Sequence, residues 1–234
     1  MNFKGVNGPG GPELQALREY LSEDRFRPYL DASRGDAVKA SSLYAWNTAA
    51  SAALYGPLQV VEVTLRNAVH VRLTARFGVD WFDRLDATLA VGCLDRISAA
   101  KRKVRGQIRA KTAGQVVAAL PFGFWVSLLG PGGRKPDGRK ANYEMVLWRP
   151  CLRLVFPHHK ALSRKRAHAE LDALRKLRNR VAHHEPVFRR DLTGDYLRIL
   201  TVLGWISPEV ADWVQRHSRL GEVLDADRTQ FIAW

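Results

Sequence analysis

The sequence predicts an all-α protein, and three observations support this fold class. Apolar residues recur every three or four positions over most of the chain, which is the spacing of one helix face. Capping signals precede several of these stretches, such as Asp36, Thr112 and the tripeptide Ser207-Pro208-Glu209. A strand-like alternation of apolar residues occurs in residues 58–77, but that stretch is long and has no internal Gly or Pro. It therefore predicts a buried helix that ends at Gly78.

The remaining elements follow from the same signals in chain order. A short amphipathic helix is expected to begin at Pro12-Glu13, and a helix capped by Asp36 to continue to Leu54. Gly56-Pro57 predicts a break and a restart after this helix. Asp80-Trp81-Phe82 predicts a turn that buries two aromatic rings. Further helices are expected at residues 89–111, 112–120, 121–130, 143–156, 163–183, 191–205 and 208–217.

The chain has 234 residues, which is enough for one domain with a substantial core. We expect a flexible tail at residues 1–12, which are rich in Gly and Pro, and a single helical domain over residues 13–234. Within that domain, residues 131–140 predict a mobile basic loop. The two cysteines lack zinc-type spacing, and the sequence shows no signal peptide and no membrane-length apolar run. The sequence thus predicts a cytoplasmic protein without metal, cofactor or membrane contact.

The chain is strongly basic, with 37 Lys and Arg against 23 Asp and Glu and a formal net charge of +14. This excess favours a polyanionic partner, because Lys and Arg neutralise phosphates and release their counterions. Two alternatives are a surface that is basic only for solubility, and a partner protein that is acidic.

The residues that carry chemistry lie near the end of the helix predicted at 163–183. Its core face is formed by Leu171, Leu174, Leu177 and Val181. Asn179 and His183 are four residues apart and share one side of the helix, whereas Arg178 and His183 are five apart, about 140° around it. Arg178 and His183 therefore converge only if the last turn loosens before Pro186 or another element completes the pocket.

These residue types suit cleavage of RNA without a metal. Histidine titrates near neutral pH, so His183 can take the proton of a ribose 2′-hydroxyl. Arg178 can bind the scissile phosphate with two N–H groups, and Asn179 can fix the imidazole or bind a phosphate oxygen. A second group must protonate the leaving 5′ oxygen, so the site is expected to be composite. The alternative is an ordinary helix end with an exposed arginine and a histidine that caps the last carbonyls.

The stretch Arg178-Asn179-Arg180-Val181-Ala182-His183 resembles the catalytic motif of HEPN-type ribonucleases, in which an arginine and a histidine are the catalytic pair. An ordered set of segments is similar to Abi-like (abortive-infection) proteins, and the similarity covers roughly residues 36–203. These segments are residues 65–68, 121–129, 143–144, 147–148 and 177–186.

The resemblance implies a HEPN-like helical bundle with additional helices and a basic loop insertion. It also implies a bacterial endoribonuclease of phage defence or of a toxin–antitoxin pair. The partners implied are RNA, an antitoxin and a second copy of the chain. A homodimer would place two motifs at one cleft, and the second His183 would then supply the missing general acid.

Arg66-Asn67-Ala68-Val69-His70 is similar to the first motif, with one residue fewer between arginine and histidine. RNA-guided CRISPR effectors that cut RNA carry two HEPN motifs per chain, so Arg66, Asn67 and His70 are a candidate second half-site. Arg66 and His70 are four apart and share one helix face. The alternative is a structural role, for instance a pairing with Glu62, because polar groups in so apolar a helix must be satisfied internally.

Basic residues are expected to bind RNA on the helix at 89–111 and beside the motif. They are Lys101, Arg102, Lys103, Arg105, Arg109, Lys165, Arg166 and Arg180. Two functions compete with the ribonuclease. One is a non-catalytic RNA-binding protein held in complex with a structured RNA, and the other is a helical scaffold whose basic surface meets an acidic partner.

Overall fold

The structure, a computed structural model, describes residues 12–105 and 112–228. Every regular element among them is helical except for an isolated antiparallel bridge between Arg134 and Lys140, which confirms the all-α prediction. The helices are α1 (Pro12–Leu21), α2 (Glu23–Ala32), α3 (Ala37–Phe77), α4 (Trp81–Arg84), α5 (Val91–Arg105), α6 (Ala113–Ala119), α7 (Phe122–Ser127), α8 (Arg164–Ala182), α9 (Leu192–Ile206), α10 (Pro208–His217) and α11 (Leu220–Asp225). A π-helical turn at Glu144–Trp148 and a 3₁₀ turn at Leu152–Val155 lie between α7 and α8.

The chain divides into two compact units. The first unit comprises Met1–Gly56, Arg180–Leu192 and Ser218–Trp234, and the second comprises Pro57–Asn179 and Thr193–His217. The chain passes from one unit to the other within α3 and within α8. The prediction of a single domain over residues 13–234 stays a prediction. The tail predicted at residues 1–12 lies outside the described residues except for Pro12, where α1 begins.

The second unit is built on a buried apolar face of α3. The residues of this face recur every three or four positions and are at most 2% exposed: Leu58, Val61, Leu65, Val69 and Leu73. An aromatic cluster also lies in its core, where Trp81 stacks on Phe124 at 6.2 Å and Phe124 meets Trp125 edge-on at 5.0 Å. Such pairs add about 0.5–1.5 kcal/mol each beyond the area they bury.

The first unit has a separate aromatic core. Tyr29 of α2 packs edge-on against Tyr44 of α3 at 5.0 Å, and its ring lies tilted against that of Phe188 at 5.1 Å. The fully buried Trp46 donates its indole N–H to the backbone carbonyl of Val223 at 2.8 Å. Because Val223 lies in the last turns of α11, this bond satisfies a carbonyl that the short helix leaves without an internal partner.

Several predicted helix ends are confirmed by their capping bonds. The Asp36 carboxylate accepts the backbone N–H groups of Val38 and Lys39 at 3.1 and 3.0 Å, so α3 begins at Ala37. At its other end, Gly78 takes a φ of +92° and donates its N–H to the Thr74 carbonyl at 2.9 Å. Thr112 forms a complete capping box at the start of α6.

The predicted break at Gly56-Pro57 is wrong, because α3 runs without interruption from Ala37 to Phe77. Proline removes one backbone N–H donor and crowds the carbonyl four residues before it. The helix tolerates this cost because the turns on either side bury apolar side chains, including Leu54 and Leu58. Packing of the two flanking turns thus outweighs one missing hydrogen bond.

The predicted helix at residues 143–156 is also wrong. The chain forms the π-helical turn, then leaves the helical region at Cys151 (φ −148°, ψ −43°), and resumes as the 3₁₀ turn. Pro150 explains the interruption, since it has no N–H with which to continue a helical ladder. Two short helices, α2 and α11, were not among the predicted elements.

The other predicted segments need smaller adjustments. The helix predicted at 89–111 is described from Val91 to Arg105, and residues 106–111 lie outside the described part of the chain. Asp80-Trp81-Phe82 does bury both aromatic rings, within the short helix α4. In the loop at 131–140, Gly132 has a φ of +78°, and a Cβ there would lie 2.5 Å from the Ala141 carbonyl oxygen, so a side chain has no room. The mobility predicted for this loop stays a prediction.

Candidate functional site

Arg178 lies on α8 directly after the core-facing residue Leu177. Leu171, Leu174 and Leu177 are completely buried in the second unit, as their spacing predicts. The guanidinium Nε of Arg178 donates to the Glu62 carboxylate of α3 at 3.2 Å. The Arg178 side chain remains 41% exposed and that of Glu62 21%. This ion pair fixes one edge of the guanidinium, and its terminal nitrogens form no hydrogen bond to the residues that the structure describes.

The α8 helix ends in a Schellman motif formed by backbone groups. His184 adopts a φ of +56°, and its N–H donates to the Val181 carbonyl at 3.1 Å. The N–H of Glu185 then reaches back to the Arg180 carbonyl at 2.9 Å. Arg25 also donates to the backbone oxygen of His184, just beyond the end of the helix, at 2.9 Å. Backbone and arginine groups therefore close this helix end.

The His183 imidazole takes no part in that closure. Its residue is exposed, and it forms no side-chain hydrogen bond or ion pair to the residues that the structure describes. Asn179 is half-buried on α8, and its amide likewise forms no side-chain bond within the described ranges. The alternative in which the motif histidine caps the last carbonyls of the helix therefore does not describe this chain end.

His70 of the second motif has a different environment. Its Nδ1 accepts the indole N–H of Trp81 at 3.0 Å and lies 3.4 Å from the Thr74 hydroxyl. Accepting from Trp81 places the ring proton on Nε2 and keeps the imidazole neutral. Burial lowers the pKa of His70 in the same direction, because it disfavours the charged form. One ring nitrogen of His70 is thus committed to structure.

Arg66 donates from Nε to the side-chain oxygen of the adjacent Asn67 at 3.3 Å. The suggested pairing of Arg66 with Glu62 does not form, because Glu62 pairs with Arg178 instead. Sequence reasoning found both arginines but missed the role of Glu62. Its position one helical turn before Arg66 was visible, whereas its partner is 116 residues away in the chain.

The predicted RNA-binding residues differ in exposure and in whether their side chains already have bonding partners. Lys101 pairs with Asp83 and lies 5.2 Å over the Phe82 ring, so it is occupied by packing. Arg180 contacts the Glu185 carboxylate at 3.5 Å and the Pro186 carbonyl at 3.0 Å. Exposed residues of this set are Arg102, Lys103, Arg105, Lys165 and Arg166, while Arg109 lies outside the described residues.

Two concave regions of the second unit were not anticipated from the sequence. A cavity of about 400 Å³ is lined by the glycine-rich stretch 130–133 and contains a buried network. There the Ala90 N–H donates to the Tyr143 hydroxyl, which donates to the Cys93 sulfur at 3.5 Å. Burial raises the pKa of Tyr143 well above its ordinary value, so its hydroxyl stays protonated. The other region is a cleft of about 760 Å³ with several basic residues at its edge.

Comparison with known proteins gives no match to a family model, a curated protein or a solved structure. Within the described residues, no group of three or more His, Cys, Asp or Glu side chains is arranged to hold a metal ion. No helix in the same part of the chain is long and apolar enough to cross a membrane.

Proposed function

We propose that this protein is a metal-independent endoribonuclease in which Arg178 and His183, at the end of α8, carry the reaction. The observation that carries the proposal is the state of His183. Its imidazole is exposed and unbonded within the described residues, and the Schellman motif at this helix end is formed by backbone groups without it. A histidine with no structural bond at such a position is available for proton transfer.

Arg178 supports the same chemistry. Its Nε is held by Glu62 at 3.2 Å, which restricts the orientation of the guanidinium plane. The terminal nitrogens remain free to bind two oxygens of one phosphate, the geometry that arginine prefers. Glu62 therefore acts as a positioning residue, and Arg178 stabilises the negative charge that builds on phosphorus oxygens in the transition state.

In the proposed step, His183 accepts the proton of a ribose 2′-hydroxyl. The 2′ oxygen then attacks the adjacent phosphorus, and the bond from phosphorus to the 5′ oxygen breaks. The products are a 2′,3′-cyclic phosphate and a 5′-hydroxyl, once a second acid has protonated the leaving oxygen. That acid is either His183 of a second copy in a homodimer or the Arg66–His70 segment. Because His70 Nδ1 already accepts from Trp81, the second copy is the better-supported source.

The resemblance to HEPN and Abi-like proteins agrees with this proposal. In that setting the protein is a cytoplasmic bacterial enzyme of phage defence or a toxin, with RNA as substrate and an antitoxin as regulator. The expected product ends do not depend on which of these roles applies.

The first experiment measures cleavage of single-stranded RNA by the purified protein in EDTA. We expect cleavage by the wild type and a loss of about 10²–10⁴-fold in His183→Ala, the usual contribution of a general base or acid. The matched control is His184→Asn. This neighbouring exposed histidine has a positive φ that asparagine tolerates, so the Schellman motif survives.

Arg178→Lys keeps the charge but loses the paired N–H geometry, and it should also reduce the cleavage rate. Undiminished cleavage in His183→Ala would contradict the proposed site. If EDTA abolishes cleavage in the wild type, the metal-independent mechanism is wrong.

The competing function is RNA binding without turnover, and the commitment of His70 to Trp81 favours it over a two-motif enzyme within one chain. It predicts tight binding and intact RNA for the wild type and for His183→Ala alike. Product analysis of the wild-type reaction separates the two functions.

A further inference from the structure

The cleft of about 760 Å³ lies wholly within the second unit and has an apolar floor and a basic rim. Trp148, Phe156 and Leu162 form the floor and are nearly or completely buried. The rim carries four cationic side chains drawn from three separate parts of the chain: Arg72 of α3, Arg149, Arg153 of the 3₁₀ turn, and Lys160.

The one carboxylate that lines this cleft is already neutralised. Glu144 accepts from Arg149 Nε at 3.4 Å and from Arg164 Nε at 2.9 Å. Arg72, Arg153 and Lys160 have no acidic partner within the described residues. Arg72 is nevertheless held in place, because its Nε donates to the Leu154 carbonyl at 3.1 Å. The cleft thus keeps an excess of positive charge that no neighbouring side chain cancels.

The basic surface continues from the cleft onto α8. His159, which lines the cleft, contacts the Arg166 guanidinium through Nε2 at 3.3 Å. Arg166 in turn lies 5.4 Å over the Trp205 ring, against which the His159 ring packs edge-on. Packing on an aromatic ring fixes the orientation of Arg166 at this edge. The cationic side chains of the cleft and Arg166 of α8 therefore lie on one continuous surface.

We propose that this cleft binds the phosphate backbone of single-stranded RNA. A concave surface lined by one sign of charge concentrates a polyanion, and phosphate contacts supply most of its sequence-independent affinity. Double-stranded RNA is recognised over a footprint of roughly 16 base pairs that includes two successive minor grooves, whereas this cleft is a single concavity of about 760 Å³. The identity of the polyanion as RNA rests on the proposed ribonuclease function, whereas the charge and the shape of the cleft do not.

The test measures binding of a fluorescein-labelled single-stranded RNA by anisotropy over a range of salt concentrations. All proteins carry His183→Ala and are held in EDTA, so binding is measured without cleavage. The cleft variant is Arg153→Gln with Lys160→Gln, because both side chains are exposed and have no side-chain bonding partner within the described residues. The control is Lys140→Gln with Arg216→Gln, which removes the same two charges from exposed positions outside the cleft.

We expect the cleft variant to bind RNA about tenfold or more weakly, and its salt slope to fall by about 1.4, roughly 0.7 for each lost phosphate contact. The control pair should retain nearly full affinity and the wild-type slope. Equal losses in both pairs would mean that the effect is net charge alone, and would overturn the proposal. A loss confined to Arg102→Gln with Lys103→Gln on α5 would overturn it too, by locating the RNA on that helix.

Competition assays define the ligand class. Unlabelled single-stranded RNA should displace the probe, while polyglutamate or an RNA duplex that competes equally well would overturn the assignment to single strands. If the cleft variant loses affinity while wild-type protein cleaves no RNA, the cleft proposal stands and the proposed catalytic function fails. If wild-type protein cleaves RNA and the cleft variant binds RNA as tightly as the control, the cleft proposal fails and the proposed catalytic function stands.

Discussion

At the scale of single residues, His70 and His183 occupy similar short motifs but have different surroundings. His70 accepts a hydrogen bond from the buried Trp81, whereas His183 is exposed at a helix end closed by other groups. A histidine committed to a buried indole stabilises the fold in its neutral form. An unbonded exposed histidine is free to exchange protons with a substrate. The two roles differ because the surroundings of the two imidazoles differ, although the sequences of the two motifs are similar.

His70 should make stability depend on pH. Because burial lowers its pKa in the folded state, the unfolded chain binds the proton more readily. The stability from neutral His70 is therefore complete above the unfolded pKa and is lost as the pH falls below it. His70→Gln keeps an acceptor for Trp81 but cannot titrate. Urea unfolding at pH 7.5 and pH 5.5 should show a smaller acid-induced loss for this variant, and an equal loss would contradict the assignment.

Two fully buried tryptophans differ in what their indole N–H groups contact. Trp46 donates to Val223 and lies 4.1 Å beneath the Arg228 guanidinium, while Trp125 Nε1 has no hydrogen-bond partner within the described residues. Replacement by Phe removes similar volume at both sites. We expect Trp46→Phe to cost about 1–2 kcal/mol more than Trp125→Phe in the free energy of unfolding, because it alone breaks these contacts. Chemical denaturation of both variants measures the difference, and a larger cost for Trp125→Phe would refute it.

At the scale of elements, the segment after α8 is held by one side chain of α3. The buried Asn47 amide oxygen accepts the backbone N–H groups of Val187 and Phe188 at 2.7 and 3.1 Å. These bonds satisfy two donors that would otherwise be buried without partners. The stretch that follows the motif is therefore anchored by long-range contacts as well as by its own Schellman turn.

Asn47→Ala should cost about 2–4 kcal/mol of stability, since two buried N–H groups lose their acceptor. Asn47→Asp places a carboxylate oxygen where the amide oxygen stood, so both N–H groups keep an acceptor, and this variant should cost less. Hydrogen exchange at the Val187 and Phe188 amides measures the effect locally. Unchanged protection of both amides in Asn47→Ala would show that other groups satisfy them.

At the scale of the whole molecule, the formal net charge is +14. Some of the cationic side chains pair with carboxylates, and others have no acidic partner within the described residues. Many exposed arginines pair with a carboxylate one helical turn away, as Arg84 does with Asp80 and Arg219 with Glu222. Such exposed pairs contribute at most about 1 kcal/mol to stability and cancel locally. Cations without acidic partners, such as Arg153 and Lys160, therefore dominate the field that a polyanion meets.

The sequence by itself determined the helical class and most helix ends. Asp36, Gly78 and Thr112 mark helix termini. A cap acts on backbone groups within about four residues, so the local sequence is enough to predict it. The core-facing residues of α8 were predicted from spacing for the same reason. His183 was also found from its neighbours in the chain, although its chemistry remains a proposal.

The tertiary structure alone decided how those local elements are used. The α3 helix continues through Pro57 because burial of the flanking turns outweighs a local penalty that the sequence does show. The pairing of Glu62 with Arg178, the bond from Trp81 to His70 and the assembly of the basic cleft join residues that are distant in the chain or on different helices. Such contacts depend on which helix faces pack together, and the spacing of residues along one helix does not predict which other helix packs against it.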